Sequence, residues 1–197
     1  MLIQLKKSEN NSDDPDAFKL DGDTLVAQAA TFFAAGFESS STTMGFTLYE
    51  LALQPDIQSR LREEVVSAIE ENEGELTYEM VMNLPYLDMV VSETLRKYPS
   101  LPFLDRVAIR DYQVPETDLV IEEGTPVYIS LYGLHYDPEY FPDPLKYDPE
   151  RFSPENKKNR RSCVYMPFGE GPHNCIGLRF GLLQSKLGII KIISNYE

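Results

Sequence analysis

From Thr24 to about Gln54 the apolar positions Leu25, Val26, Ala29, Phe32, Phe33, Phe46, Leu48, Leu51 and Leu53 are too dense for one helical face. That density predicts a long helix buried on all sides. Its middle departs from the pattern, because Gly36-Phe37-Glu38-Ser39-Ser40-Ser41-Thr42-Thr43 sets a glycine, a carboxylate and five hydroxyls inside the apolar run. Pro55 suits the first turn of a second helix, in which Ile57, Leu61, Val65 and Ile69 recur every fourth residue. Arg60, Arg62, Glu63, Glu64 and Glu70 then face water. After a Glu/Gly turn at 73–75, Thr77 caps a short helix. Pro85 opens another that carries Leu87, Val90, Val91 and Leu95 to Tyr98, where Pro99 and Pro102 stop it.

The pattern changes at Arg106. Val107/Ile109 and Val127/Ile129/Leu131 alternate with other residues, and Pro115, Gly124 and Pro126 punctuate them, so short strands and hairpins are expected up to Leu134. Residues 136–154 hold five prolines among several aromatics, which predicts stiff irregular backbone pinned by aromatic packing. A last helix is expected over Leu178–Ile193, opened by the glycine-rich stretch Phe168 to Gly177. Before all of these, the polar residues 8–23 read as a solvated connector.

The 197 residues fit a single domain with ordinary globular composition. A net charge of −14 removes the positive footprint that polyphosphate binding needs, so a nucleic-acid role is disfavoured. The charge is uneven. Residues 1–150 carry 10 basic and 29 acidic groups, whereas residues 151–197 carry 8 and 3, a local excess of +5. Cys163 and Cys175 are too few for a disulfide framework, and the stretch MLIQLKKSENNSDD lacks the features of a signal peptide. A reducing compartment is therefore expected, and Asn10-Asn11-Ser12 reads as a chance glycosylation pattern. No window approaches the roughly 18 consecutive apolar residues of a spanning helix.

Cys175 lies where the glycine-rich loop turns into the last helix. Unpaired backbone N–H groups and the positive end of the helix dipole favour a thiolate there, and thiolate is the form that binds metals. Gly169, Gly171 and Gly177 remove side chains where a flat ligand would approach, and Phe168 offers a ring to lie against it. The competing reading is a buried free cysteine used only for packing. A dinucleotide loop is excluded, because Asn174 occupies the third glycine position of G-x-G-x-x-G.

Four motifs in order carry a family resemblance. Phe168-Gly169-Glu170-Gly171-Pro172-His173-Asn174-Cys175-Ile176-Gly177 resembles the haem-binding signature F-x-x-G-x-R-x-C-x-G of cytochrome P-450 monooxygenases, with His173 in place of Arg. Ala35-Gly36-Phe37-Glu38-Ser39-Ser40 is similar to the family's A-G-x-[DE]-T-[TS], with Ser39 in place of Thr. Glu93-Thr94-Leu95-Arg96 matches E-x-x-R, and Pro149-Glu150-Arg151-Phe152 matches P-E-R-F. The wording is most similar to the insect family-six enzymes that attack plant toxins and insecticides.

The resemblance implies a mainly α fold with a small β-sheet, a single partial cytochrome P-450 domain over 1–197: long central helix, E-x-x-R helix, meander, cysteine loop and following helix. It implies thiolate-ligated haem b, with Cys175 as the iron ligand and Phe168, Gly169, His173, Gly177 and Arg106 as haem-binding residues. Glu38 and Ser39 would relay protons to oxygen, against the plain alternative that Ser39 bonds its own i−4 carbonyl. Glu93, Arg96 and Arg151 would form a structural network, against an exposed i, i+3 pair worth only ~0.2–0.5 kcal/mol. His135 falls in the family's L-H-x-D-P turn, which implies a structural hydrogen bond. An imidazole at 173 would hold a propionate by charge only when protonated, with a grip that weakens as pH rises, against the plain alternatives of a neutral hydrogen bond or a tolerated lesion at this position.

The family is roughly 500 residues long, so the chain resembles its C-terminal portion. Resemblance then implies an endoplasmic-reticulum enzyme on the cytosolic face, attached through an N-terminal anchor not in this sequence. Its partners would be an NADPH cytochrome reductase and apolar small-molecule substrates. The alternative expectation is a truncated, non-catalytic product that only competes for haem or reductase.

Overall fold

The computed structural model describes residues 22–196. The predicted connector therefore lies outside the described residues except for Gly22 and Asp23, as does the Asn10 pattern. The chain divides into two compact units that part at Ser39/Ser40.

Helix α1 runs Gly22–Leu53, and the residues meeting water along its first half include Val26, Phe33 and Phe37, exposed to 67, 75 and 62%. The expectation of burial on every side is thus not met. From Ser40 on, its buried positions are Ser40, Thr43, Thr47, Glu50 and Leu51, a stripe at helical spacing made mostly of hydroxyls. Apolar density predicts that several faces suit burial, but among the described residues the covered stripe is the polar one.

Helix α2 (Pro55–Glu71) buries Leu61 and Val65, and α3 (Tyr78–Met82) begins where the Thr77 hydroxyl accepts from the Met80 N–H at 3.2 Å. Helix α4 (Pro85–Lys97) is capped from outside: the Glu64 carboxylate accepts the Tyr86 and Leu87 N–H groups at 2.7 and 2.9 Å. Glu64 therefore does not simply face water, as its place on α2 had suggested. Its charge suits the positive end of a helix.

Strands β1 (Phe103–Val107) and β4 (Pro126–Ser130) pair antiparallel, with Leu104 opposite Ile129 and Arg106 opposite Val127. Strands β2 (Tyr112–Gln113) and β3 (Val120–Ile121) form a second small ribbon. The first strand starts earlier than the alternation suggested, Ile109 is 87% exposed beyond its end, and Leu131 opens the short helix α5 (Leu131–His135) instead of closing a strand. Ser130 decides that boundary, because its hydroxyl accepts the Gly133 N–H at 2.9 Å.

The proline-rich stretch is irregular, apart from a 3-10 turn at Pro149–Phe152, and leads into α6 (Pro154–Asn159). Phe141, Tyr147 and Phe152 are its buried anchors. Helix α7 spans Leu178–Ile193, as its sequence predicts, and Gly188 on it meets Met44 of α1. The main core joins α1 from Met44 onward, α2, α3, α4, the proline-rich stretch and α7, while Leu104, Leu131 and Met166 form a smaller cluster.

Candidate functional site

Two of the motifs fall on the α4 side of the core. Glu93 and Arg96 have no exposed surface. Arg96 donates through Nε to Glu93 Oε2 at 2.7 Å and through Nη2 to Oε1 at 2.8 Å, a bidentate fork. Its remaining donors reach the main-chain oxygens of His135 (2.9 Å) and Pro144 (2.9 Å), which binds α4 to α5 and the proline-rich stretch. The Asp148 N–H donates to Glu93 Oε1 at 2.8 Å, and Arg151 Nε lies 3.5 Å from the same oxygen. Burial pushes the Glu93 carboxyl up from its usual range, while the Arg96 fork opposes that shift. The three residues meet, although Arg151 makes the weakest contact and spends its Nη2 on the Asp143 main-chain oxygen at 2.9 Å.

His135 sits behind this network, wholly buried. Its Nδ1 is 3.1 Å from the Arg96 main-chain oxygen, and its Nε2 accepts the Met166 N–H at 3.3 Å. Burial, opposed by the Arg96 main-chain bond and reinforced by the charges of Arg96 and Arg160, pushes its pKa down to about 4.

The loop bearing Cys175 is held by its own main chain. The Gly169 N–H donates to the Met166 oxygen at 3.0 Å and the Cys175 N–H to the Phe168 oxygen at 2.8 Å. Gly169 and Gly171 have φ of +73° and +84°, conformations that side chains with a Cβ rarely adopt. The loop thus turns sharply enough to leave Cys175 exposed rather than packed, which removes the reading of a buried free cysteine. Around it Ile176 and Phe180 are 83 and 66% exposed, and Phe168 is half-buried. An exposed cysteine sulfur, a soft ligand, beside exposed apolar side chains and a glycine turn fits a flat apolar group carrying iron.

The other predicted residues are placed differently. His173 and Arg106 are exposed, and Arg106 bonds the neighbouring Asp105 oxygen at 2.7 Å. Gly177 stands at the start of α7, where a Cβ would lie 4.0 Å from Cys175 Sγ. Ser39 donates to the Ala35 oxygen at 2.7 Å, the i−4 back-bond, and Glu38 is exposed on the same helix.

Several residues that pattern reasoning passed over hold this frame. Thr47 of α1 donates to Thr94 of α4 at 3.0 Å, and Thr94 meets the Tyr147 hydroxyl at 2.9 Å, so a buried hydroxyl chain joins three segments. Glu50 accepts from Lys97 at 2.8 Å and from Tyr98 and Gln54. The 3-4 spacing of Thr43, Thr47 and Glu50 was the available signal.

Known proteins agree with the motifs. The family model for cytochrome P-450 matches residues 1–197, and the chain belongs to that family. It is 56% identical to cytochrome P-450 6k1 of Blattella germanica, across all of this chain and 40% of that protein. It is 50% identical to probable cytochrome P-450 6a13 of Drosophila melanogaster and 51% identical to cytochrome P-450 6j1 of Blattella germanica, covering 39 and 38% of them. The chain spans about two fifths of the length of these curated relatives. Its mostly helical architecture with a small antiparallel sheet is that of a partial member of the family.

Proposed function

We propose that this chain supplies the haem-thiolate portion of a monooxygenase that inserts one oxygen atom from O2 into apolar small molecules, with electrons from NADPH through a reductase. The observation that carries the reading is Cys175, exposed on a glycine turn among apolar side chains and joined by main-chain bonds to the segment around Met166. Haem b, when bound, supplies oxygen activation, because a thiolate ligand pushes electron density toward O–O cleavage. Cys175 would hold the iron, Phe168 and the turn at Gly169 would lie against the ring, and His173 and Arg106 would offer N–H donors to its propionates. Glu38 and Ser39 would hold and pass protons.

Endoplasmic-reticulum placement, a cytosol-facing site and xenobiotic substrates are further parts of this proposal, supported by resemblance to family-six enzymes alone. Among the described residues no helix is long and apolar enough to cross a membrane. The basic excess of residues 151–197, which include the cysteine loop, suits an acidic electron donor.

The test is spectroscopic. Haem-loaded protein should give the carbon monoxide difference spectrum of a thiolate-ligated iron, Cys175→Ala should abolish it and Cys163→Ala should leave it intact. Loss with Cys163→Ala, and not with Cys175→Ala, would overturn the assignment.

A further inference from the structure

We propose that His135 is a positioning residue for the thiolate loop: its neutral imidazole joins the main chain of the Glu93–Arg96 helix to the segment that presents Cys175. The proposal rests on the haem-thiolate reading and adds the group that fixes the loop to the frame.

The Arg96 carbonyl oxygen facing Nδ1 can only accept, and the Met166 N–H facing Nε2 can only donate. Together these contacts select one tautomer, with the proton on Nδ1 and a lone pair on Nε2. The link is reciprocal, because Arg96 Nη1 donates to the His135 main-chain oxygen at 2.9 Å. From Met166 the bonds run on through the Gly169 N–H to the Met166 oxygen, then from Gly169's neighbour Phe168, whose oxygen accepts the Cys175 N–H. Leu131, one turn before His135 on α5, packs with Leu104 against the Met166 side chain. One short helix therefore grips the same residue by an apolar contact and by a hydrogen bond.

A protonated imidazole has two donors and no acceptor, so taking a proton sets an N–H against the Met166 N–H and opens the joint. The surroundings oppose that event. Arg96 from α4 and Arg160 from beyond α6 are cations, Glu93 is ion-paired to Arg96 and Arg151, and the rings of Tyr165 (5.4 Å) and Phe141 (6.2 Å) complete the enclosure. The joint is closed at neutral pH and opens in acid, as the ring takes a proton toward about pH 4.

Glu93 also titrates, so variants at His135 make the decision. Gln at 135 offers an oxygen to the Met166 N–H and an amide donor to the Arg96 oxygen without titrating, and Phe offers neither. In haem-loaded protein, amide hydrogen exchange at Met166 and the thiolate fraction in the carbon monoxide spectrum would be followed against pH. His135→Phe should speed Met166 exchange about tenfold or more and lower the thiolate fraction at every pH. His135→Gln should restore both and flatten the acid loss shown by the unaltered protein. Equal Met166 exchange with His and Phe, or identical acid curves with His and Gln, would overturn the proposal. If the Phe variant does not fold, the Gln comparison decides alone. A protein that gives no thiolate spectrum at all would sink the haem reading, and Met166 exchange in its haem-free form would still test the joint.

Discussion

Met44 on α1 seats its sulfur against Gly188 of α7 so closely that a Cβ at residue 188 would overlap it. Two main-core helices therefore meet over a missing side chain. At Gly188→Ala the helix gains about 1 kcal/mol of intrinsic propensity, but Met44 must swing aside, so the net change should be small. Gly188→Val adds a branched bulk that a thioether cannot clear and should cost about 1–3 kcal/mol. Denaturant midpoints of the two variants check the order, and Met44→Ala should relieve the Val cost.

Arg96 fills the acceptors of four residues, counting the Lys146 oxygen at 3.3 Å, so its geometry matters as well as its charge. Arg96→Ala should cost about 3–5 kcal/mol by stranding the buried Glu93 carboxylate. Arg96→Lys should be nearly as damaging, because an ammonium cannot reproduce the fork. Arg151→Ala, which removes one long contact and one main-chain bond, should cost only about 1–3 kcal/mol. Equilibrium unfolding, with haem content measured alongside, would rank the three.

Acid should weaken the folded state through His135. Unfolded, the ring takes a proton near pH 6.5, whereas folded it does so only near about pH 4. The folded state therefore binds fewer protons between these values, and stability falls as pH drops through that window. Its contribution is full above about pH 6.5, falls by on the order of 3 kcal/mol by pH 4, and levels off below. Subtracting the pH profile of His135→Gln from that of the unaltered protein isolates it.

Ser39 spends its proton on the Ala35 oxygen. A threonine at this position adds the methyl that restricts χ1 and should hold the hydroxyl in fewer orientations. As a relay, Ser39→Thr should raise product formed per NADPH and Ser39→Ala should lower it. Equal coupling in all three would show that this hydroxyl passes no proton.

His173 is exposed two residues before Cys175. Its ring presents single N–H donors, whereas Arg presents a planar fork that matches a propionate bidentately. Haem transfer to a competing apoprotein should be slower from His173→Arg than from the unaltered protein. Equal rates would remove His173 from the haem site.

The sequence by itself determined the helices at Pro55, Pro85 and Leu178, because proline starts and fourth-residue apolar spacing are local properties of the chain. Family membership was equally legible, since the wording of four motifs in order needs no coordinates. Only the tertiary structure decided that Glu93 and Arg96 lie fully buried, since i, i+3 spacing is the same on a wet face and a dry one. It also decided that α1 presses hydroxyls inward while Phe33 and Phe37 meet water, because periodicity names faces without naming what covers them. His135 shows the limit most clearly. Its turn was readable, but the Arg96 oxygen and Met166 N–H that hold its ring stand 39 and 31 residues away, and contacts at such separations are made by packing alone.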